Sequence, residues 1–155
     1  MAVAKNSYIH ARLGVEIQKK ELKRKYMCIV CGDVERDGTV DAPIRRADGS
    51  VINRIVAPDG QRAVTHYRVV KRYGEYTLLE MELETGRTHQ IRVHMAYIGH
   101  PLVGDWLYGT EDHNIAKRQM LHSCYLCFTH PITGQIMEFK DEMAEDMRAF
   151  IEKLS

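Results

Sequence analysis

The stretch Glu84–Gly109 holds the densest set of side chains able to do chemistry in this chain of 155 residues. Gly86 lets the backbone turn, and Thr88 can cap a helix. At about 100° per residue, His89, Arg92 and Ala96 then share a face opposite Ile91, Met95 and Ile98. A guanidinium therefore projects from a helix whose other side is anchored in the core. Arg87 and His89 fall beside the helix amino terminus, where free backbone N–H groups attract phosphate. An arginine so held can grip a carboxylate or a phosphate through two parallel hydrogen bonds. The plain structural alternative is an ion pair from Arg92 to a sheet carboxylate, Glu80 or Glu82, with the histidines satisfied in the core.

Two cysteine pairs, Cys28 with Cys31 and Cys124 with Cys127, have the spacing of a zinc knuckle. Both lie in apolar, strand-like runs, where positions i and i+3 point to opposite faces, so neither pair chelates without a turn. No metal site is expected. His89 and His94 are five apart, one more than metal ligands sharing a helix face require. The methionines are scattered and suit core gaps. Lys19, Lys20, Lys23, Arg24 and Lys25 form the densest basic run, either a solvated helix end or a polyanion site.

Apolar residues make up 45% and charged residues 28%, with a mean hydropathy of −0.36, a balance that excludes a disordered chain and a helical membrane protein. The net charge of +1 is unevenly shared: residues 1–92 carry +5 and residues 93–155 carry −4, so a polyanion would meet the first part. The amino terminus, MAVAKNSYIHARL, lacks the apolar core of a secretory signal, which points to the cytoplasm and reduced thiols.

The elements that must position these groups follow from periodicity. Residues 7–22 read as a helix capped by Asn6 or Ser7, with Ile9, Leu13 and Ile17 in its apolar stripe and the lysines in its last turn. Residues 25–34 read as a strand that is apolar on both faces and therefore central. Residues 62–84 read as an antiparallel hairpin turning at Gly74. A helix over 88–98 ends at Gly99 and Pro101, strands follow near 120–128 and 135–139, and an amphipathic helix over 142–154 closes the chain. With no repeat and no linker, this is one α+β domain with a mostly antiparallel sheet and flanking helices.

Separate blocks, in order, then carry a resemblance: Gly86-Arg87-Thr88-His89-Gln90-Ile91-Arg92-Val93-His94, Gly99-His100-Pro101, Gly104-Asp105, Tyr108-Gly109, Leu121-His122 and His130-Pro131. Upstream, Ala4-Lys5-Asn6, Lys25-Tyr26, Asp41-Ala42-Pro43-Ile44 and Ala63-Val64-Thr65 extend it over essentially the whole chain. The pattern resembles the RluA-type family of RNA pseudouridine synthases. That resemblance implies the pseudouridine synthase fold and isomerisation of uridine in ribosomal or transfer RNA. The ribose bond to N1 of uracil breaks, the base rotates, and the bond re-forms at C5 with no cofactor. Such an enzyme flips its target nucleotide out of the stack. It further implies that Arg92 pairs with a catalytic aspartate, that Tyr26 stacks on the uracil, and that Leu121 is the apolar buttress of the pocket. Arg87, His89 and the basic run Lys19, Lys20, Lys23, Arg24 and Lys25 become the expected RNA contacts.

One departure is large. The family's aspartate lies in an Arg-Leu-Asp motif ahead of the segment matching Ala4-Lys5-Asn6, and residues 1–155 contain no such motif. Asp105 belongs instead to the Gly-Asp turn, where it is expected to brace the loop before Tyr108. The expectation is a catalytic domain truncated on its amino-terminal side, inactive by itself, or else a non-catalytic RNA-binding remnant. An unpaired sheet edge would then favour self-association.

Overall fold

The computed structural model describes residues 3–18, 22–109 and 115–154. The elements are α1 (Ser7–Gln18), β1 (Lys23–Cys31), β2 (Gly38–Asp41), β3 (Ile44–Arg46), β4 (Arg54–Val56), β5 (Val64–Arg72), β6 (Tyr76–Leu83), α2 (Gln90–Tyr97), β7 (Leu121–Thr129), β8 (Ile136–Lys140) and α3 (Glu145–Glu152). Asn6 caps α1 by accepting the Ile9 N–H on its Oδ1 at 2.9 Å. The helix expected over 7–22 is described over Ser7–Gln18 and does not reach Leu22, and Lys23, Arg24 and Lys25 are strand residues rather than a last helical turn. The reason is local: Tyr26 to Val30 is apolar on both faces, and the three basic residues continue its pairing, with Lys25 opposite Glu82.

Six strands form one antiparallel sheet in the order β2-β5-β6-β1-β7-β8, and β3 pairs with β4 in a separate ribbon. β1 is interior, as its composition requires. On one face Cys28 and Val30 pack with Leu79 and Met81 against Ile91 and Met95 of α2. On the other, Ile29 and Leu78 pack with Val103 and Met120 against Met147 of α3. The sheet is thus held between α2 and α3, and each fully buried Ile, Leu or Met side chain contributes about 1.5–3 kcal/mol. The β5–β6 hairpin turns at Gly74, whose φ is 76°.

Cys28 faces the α2 cluster and Cys31 the α3 cluster, so the two thiols lie on opposite sides of the sheet. All four cysteines are free, and burial pushes the thiols of Cys28, Cys31 and Cys124 up, which disfavours thiolate ligands. Among the described residues no helix is long and apolar enough to cross a membrane.

Candidate active site

The turn between β6 and α2 is built by a glutamine. Gln90 is 2% exposed. Its Oε1 accepts the Thr85 hydroxyl at 2.7 Å and the Arg87 N–H at 2.9 Å, while its Nε2 donates to Val64 O and Thr65 Oγ1. Thr88 therefore does not cap the helix. His89 holds the N-cap position in the left-handed region, with φ 57° and ψ 18° and no side-chain cap bond. That backbone costs about 1–3 kcal/mol in a non-glycine residue. What holds it is Tyr108, whose Oη accepts the Arg54 N–H at 3.0 Å and meets His89 Nδ1 at 2.8 Å. Burial, then the charges of Arg92 and Arg54, hold the His89 pKa below the ordinary histidine value, so the ring is neutral.

One turn further along α2, Arg92 meets Asp105 edge to edge. Nε donates to Oδ2 at 2.8 Å and Nη2 to Oδ1 at 2.7 Å, with the side chains 11% and 0% exposed. Oδ1 also accepts the N–H groups of Leu107 and Tyr108. The bond to Asp105 raises the Arg92 pKa further against the cost of its burial, and the Tyr108 ring centre lies 5.0 Å from the guanidinium carbon. Nη1 of Arg92 bonds no protein group among the described residues and is the free corner of the fork. The alternative partners, Glu80 and Glu82, are on the wrong side of the sheet. They alternate with Leu79 and Met81, which face α2, and Glu80 binds Lys25 at 3.2 Å and Arg68 at 3.5 Å.

Tyr26 and Leu121 both border the cluster that contains Ile91 and Met95, so the structure brings them to the sheet face carrying α2. A bulge in β7 produces this register: Lys25 pairs with Tyr125 but Tyr26 pairs with Ser123, leaving Cys124 extra and Leu121 opposite Cys28. The basic run is divided. Lys19 and Lys20 lie outside the described residues. Lys25 faces away from α2 in its ion pair with Glu80, Lys23 shares that face by alternation, and Arg24 lies on the Tyr26 face against Gly86. Arg87 is exposed, with its Nε bonded to Arg62 O at 3.0 Å. It borders a cleft of about 430 Å³ that also takes in Arg45, Arg46 and Arg54.

The family model for RNA pseudouridylate synthase matches residues 1–97 of this chain. The chain belongs to that family. A Bacillus subtilis protein titled "Uncharacterized RNA pseudouridine synthase YjbO" is 47% identical over 152 residues, which is 97% of this chain and 53% of that protein. "Ribosomal large subunit pseudouridine synthase D" of Vibrio cholerae is 43% identical over 160 residues, 95% of this chain and 49% of that protein. The chain spans about half the length of the curated relatives it matches. Among solved structures, "Human RNA Pseudouridylate Synthase Domain Containing 1" superposes with a TM-score of 0.75 at 20% identity, covering 98% of this chain and 73% of that one, a likeness of fold.

Within this pseudouridine synthase fold, three features escape a reading of the sequence. The arginines of the β3–β4 ribbon are spread over Arg45, Arg46 and Arg54, with no run to mark them, and only the ribbon gathers them beside Arg87. Tyr108 belongs to the Tyr108-Gly109 block, but its link between His89 and Arg54 depends on a contact 54 residues apart in sequence. His94, fully buried, completes a relay from Gln90 through Thr65 Oγ1 to its Nδ1, and its Nε2 donates to Ala42 O at 2.8 Å.

Proposed function

We propose that residues 1–155 form the arginine-bearing platform of an RNA pseudouridine synthase that acts on uridine in ribosomal or transfer RNA in the cytoplasm. The observation that carries this reading is Arg92. It projects from α2 on the same sheet face as Tyr26 and Leu121, its Nε and Nη2 are fixed by Asp105, and its Nη1 corner is open. In this reading Nη1 steadies the carboxylate that reacts with the flipped nucleotide, Tyr26 stacks on the uracil and Leu121 closes the apolar side. Asp105 is a brace, not the reacting acid, because both its oxygens are committed to Arg92 and one of them also to two backbone N–H groups. In this reading the reacting carboxylate is a group other than Asp105. The reaction is an isomerisation and needs no external oxidant, reductant or energy source, hence no cofactor. Arg24, Arg87 and the neighbouring ribbon arginines contact RNA phosphate, and the neutral His89 offers a ring nitrogen to a nucleotide.

Pseudouridine mapping of ribosomal and transfer RNA from source cells with and without the gene tests this. Deletion should leave one or a few uridines unmodified. The wild-type allele should restore them, and an Arg92→Lys allele producing the same protein level should not. An unchanged map on deletion would overturn the enzymatic reading and favour the non-catalytic RNA-binding alternative.

A further inference from the structure

We infer that Arg24 is the member of the basic run that grips an RNA backbone phosphate beside the flipped uridine, and that Gly86 exists to seat it. This deepens the pseudouridine synthase reading and rests on it. β1 pairs with β6 without irregularity, Tyr26 opposite Met81 and Lys25 opposite Glu82. Arg24 therefore continues the row of Tyr26 and Cys28 toward Leu83, on the face that carries α2. Lys25, one residue on, points to the other face and is neutralised by Glu80. Nearness in sequence thus conceals a division into two surfaces, only one of which adjoins the candidate site.

Among the described residues Arg24 packs against Gly86 and meets no acid. A Cβ on Gly86 would stand 2.7 Å from its Nη1 and 3.2 Å from its Nη2, so the guanidinium occupies the space that a side chain at 86 would fill. The φ of Gly86 is outside the left-handed region; the glycine supplies room, not a special backbone. Arg24 Nε is buried with no hydrogen-bond partner, and Arg24 forms no ion pair among the described residues. Arg87 follows Gly86 directly and is exposed, which puts two guanidinium groups at one turn. A guanidinium with no ion-pair partner among the described residues, on the sheet face of Tyr26, suits the phosphodiester of a nucleotide approaching that face.

The test is binding of the full chain to a single-stranded RNA oligonucleotide containing one uridine, measured across a salt series. Arg24→Ala should weaken binding about tenfold and flatten the dependence of log affinity on log salt by about 0.7. Arg24→Lys should keep the salt slope, and Gly86→Ala, which drives a methyl into the seat, should follow Arg24→Ala. Lys25→Ala should leave both quantities unchanged. Thermal midpoints identify variants that fold; should Arg24→Ala fail to fold, Gly86→Ala and Arg24→Lys decide. RNA binding by the wild type with an unaltered slope in folded Arg24→Ala or Gly86→Ala would overturn this inference alone. No RNA binding by the wild type would overturn it together with the synthase reading.

Discussion

Arg92 and Asp105 stand 13 residues apart in sequence, yet form a two-bond ion pair almost sealed from water. Removing the charge from one partner leaves the other buried and uncompensated, which costs about 3–5 kcal/mol. Asp105→Asn should therefore lower the unfolding free energy by that amount in urea denaturation, and a loss near the value of a surface ion pair would show that the bond is not desolvated. His94 makes a pH prediction. Burial lowers its pKa below the ordinary 6.5, so on acidification the unfolded chain takes the proton first. Stability is then full above that value, falls as pH drops below it, and stops falling once the folded form is itself protonated. His89, shifted the same way, adds to the trend. Urea midpoints at pH 7.5 and 5.5 should converge in His94→Gln relative to wild type; equal pH slopes in the two proteins would remove His94 as the source. Helical spacing exposed Arg92 as a projecting cation, but its partner was hidden because Asp105 arrives through the irregular segment after α2.

The elements were legible where burial imposes a period. β1, apolar on both faces, is interior, and the β5–β6 hairpin turns at Gly74 as its alternation and glycine require. The strands β2, β3 and β4, three or four residues each, are too short to show a period. α2 was foreseen but begins two residues later, since the cap is tertiary: Tyr108 and Gln90, not Thr88, stabilise its start. α3 depends on Met147, which is fully buried, and on the edge contact of Phe150 with Tyr76 at 5.3 Å. Met147→Ala should cost about 2–5 kcal/mol while leaving RNA affinity intact, because α3 covers the sheet face opposite α2. Calorimetry paired with a binding titration checks both parts; a parallel loss of RNA affinity would place α3 in the interface.

Across the whole molecule, the basic excess of residues 1–92 supplies the guanidinium groups near α2, and the acidic remainder lies in the later elements. β2 and β8 end the sheet, and β8 exposes Ile136 at 76% and Phe139 at 50%. Self-association is expected to use this edge, so sedimentation should show concentration-dependent dimers that Ile136→Lys abolishes; dimers that survive the change would locate the contact elsewhere. The central claim is that Asp105 fixes Arg92 and does not itself react. Its most direct test is pseudouridine formation by purified residues 1–155 on ribosomal and transfer RNA transcripts, read by mass spectrometry beside folded Asp105→Asn protein. The account predicts no pseudouridine from either protein. Pseudouridine made by the wild-type chain and lost in Asp105→Asn would contradict it and make Asp105 the reacting acid.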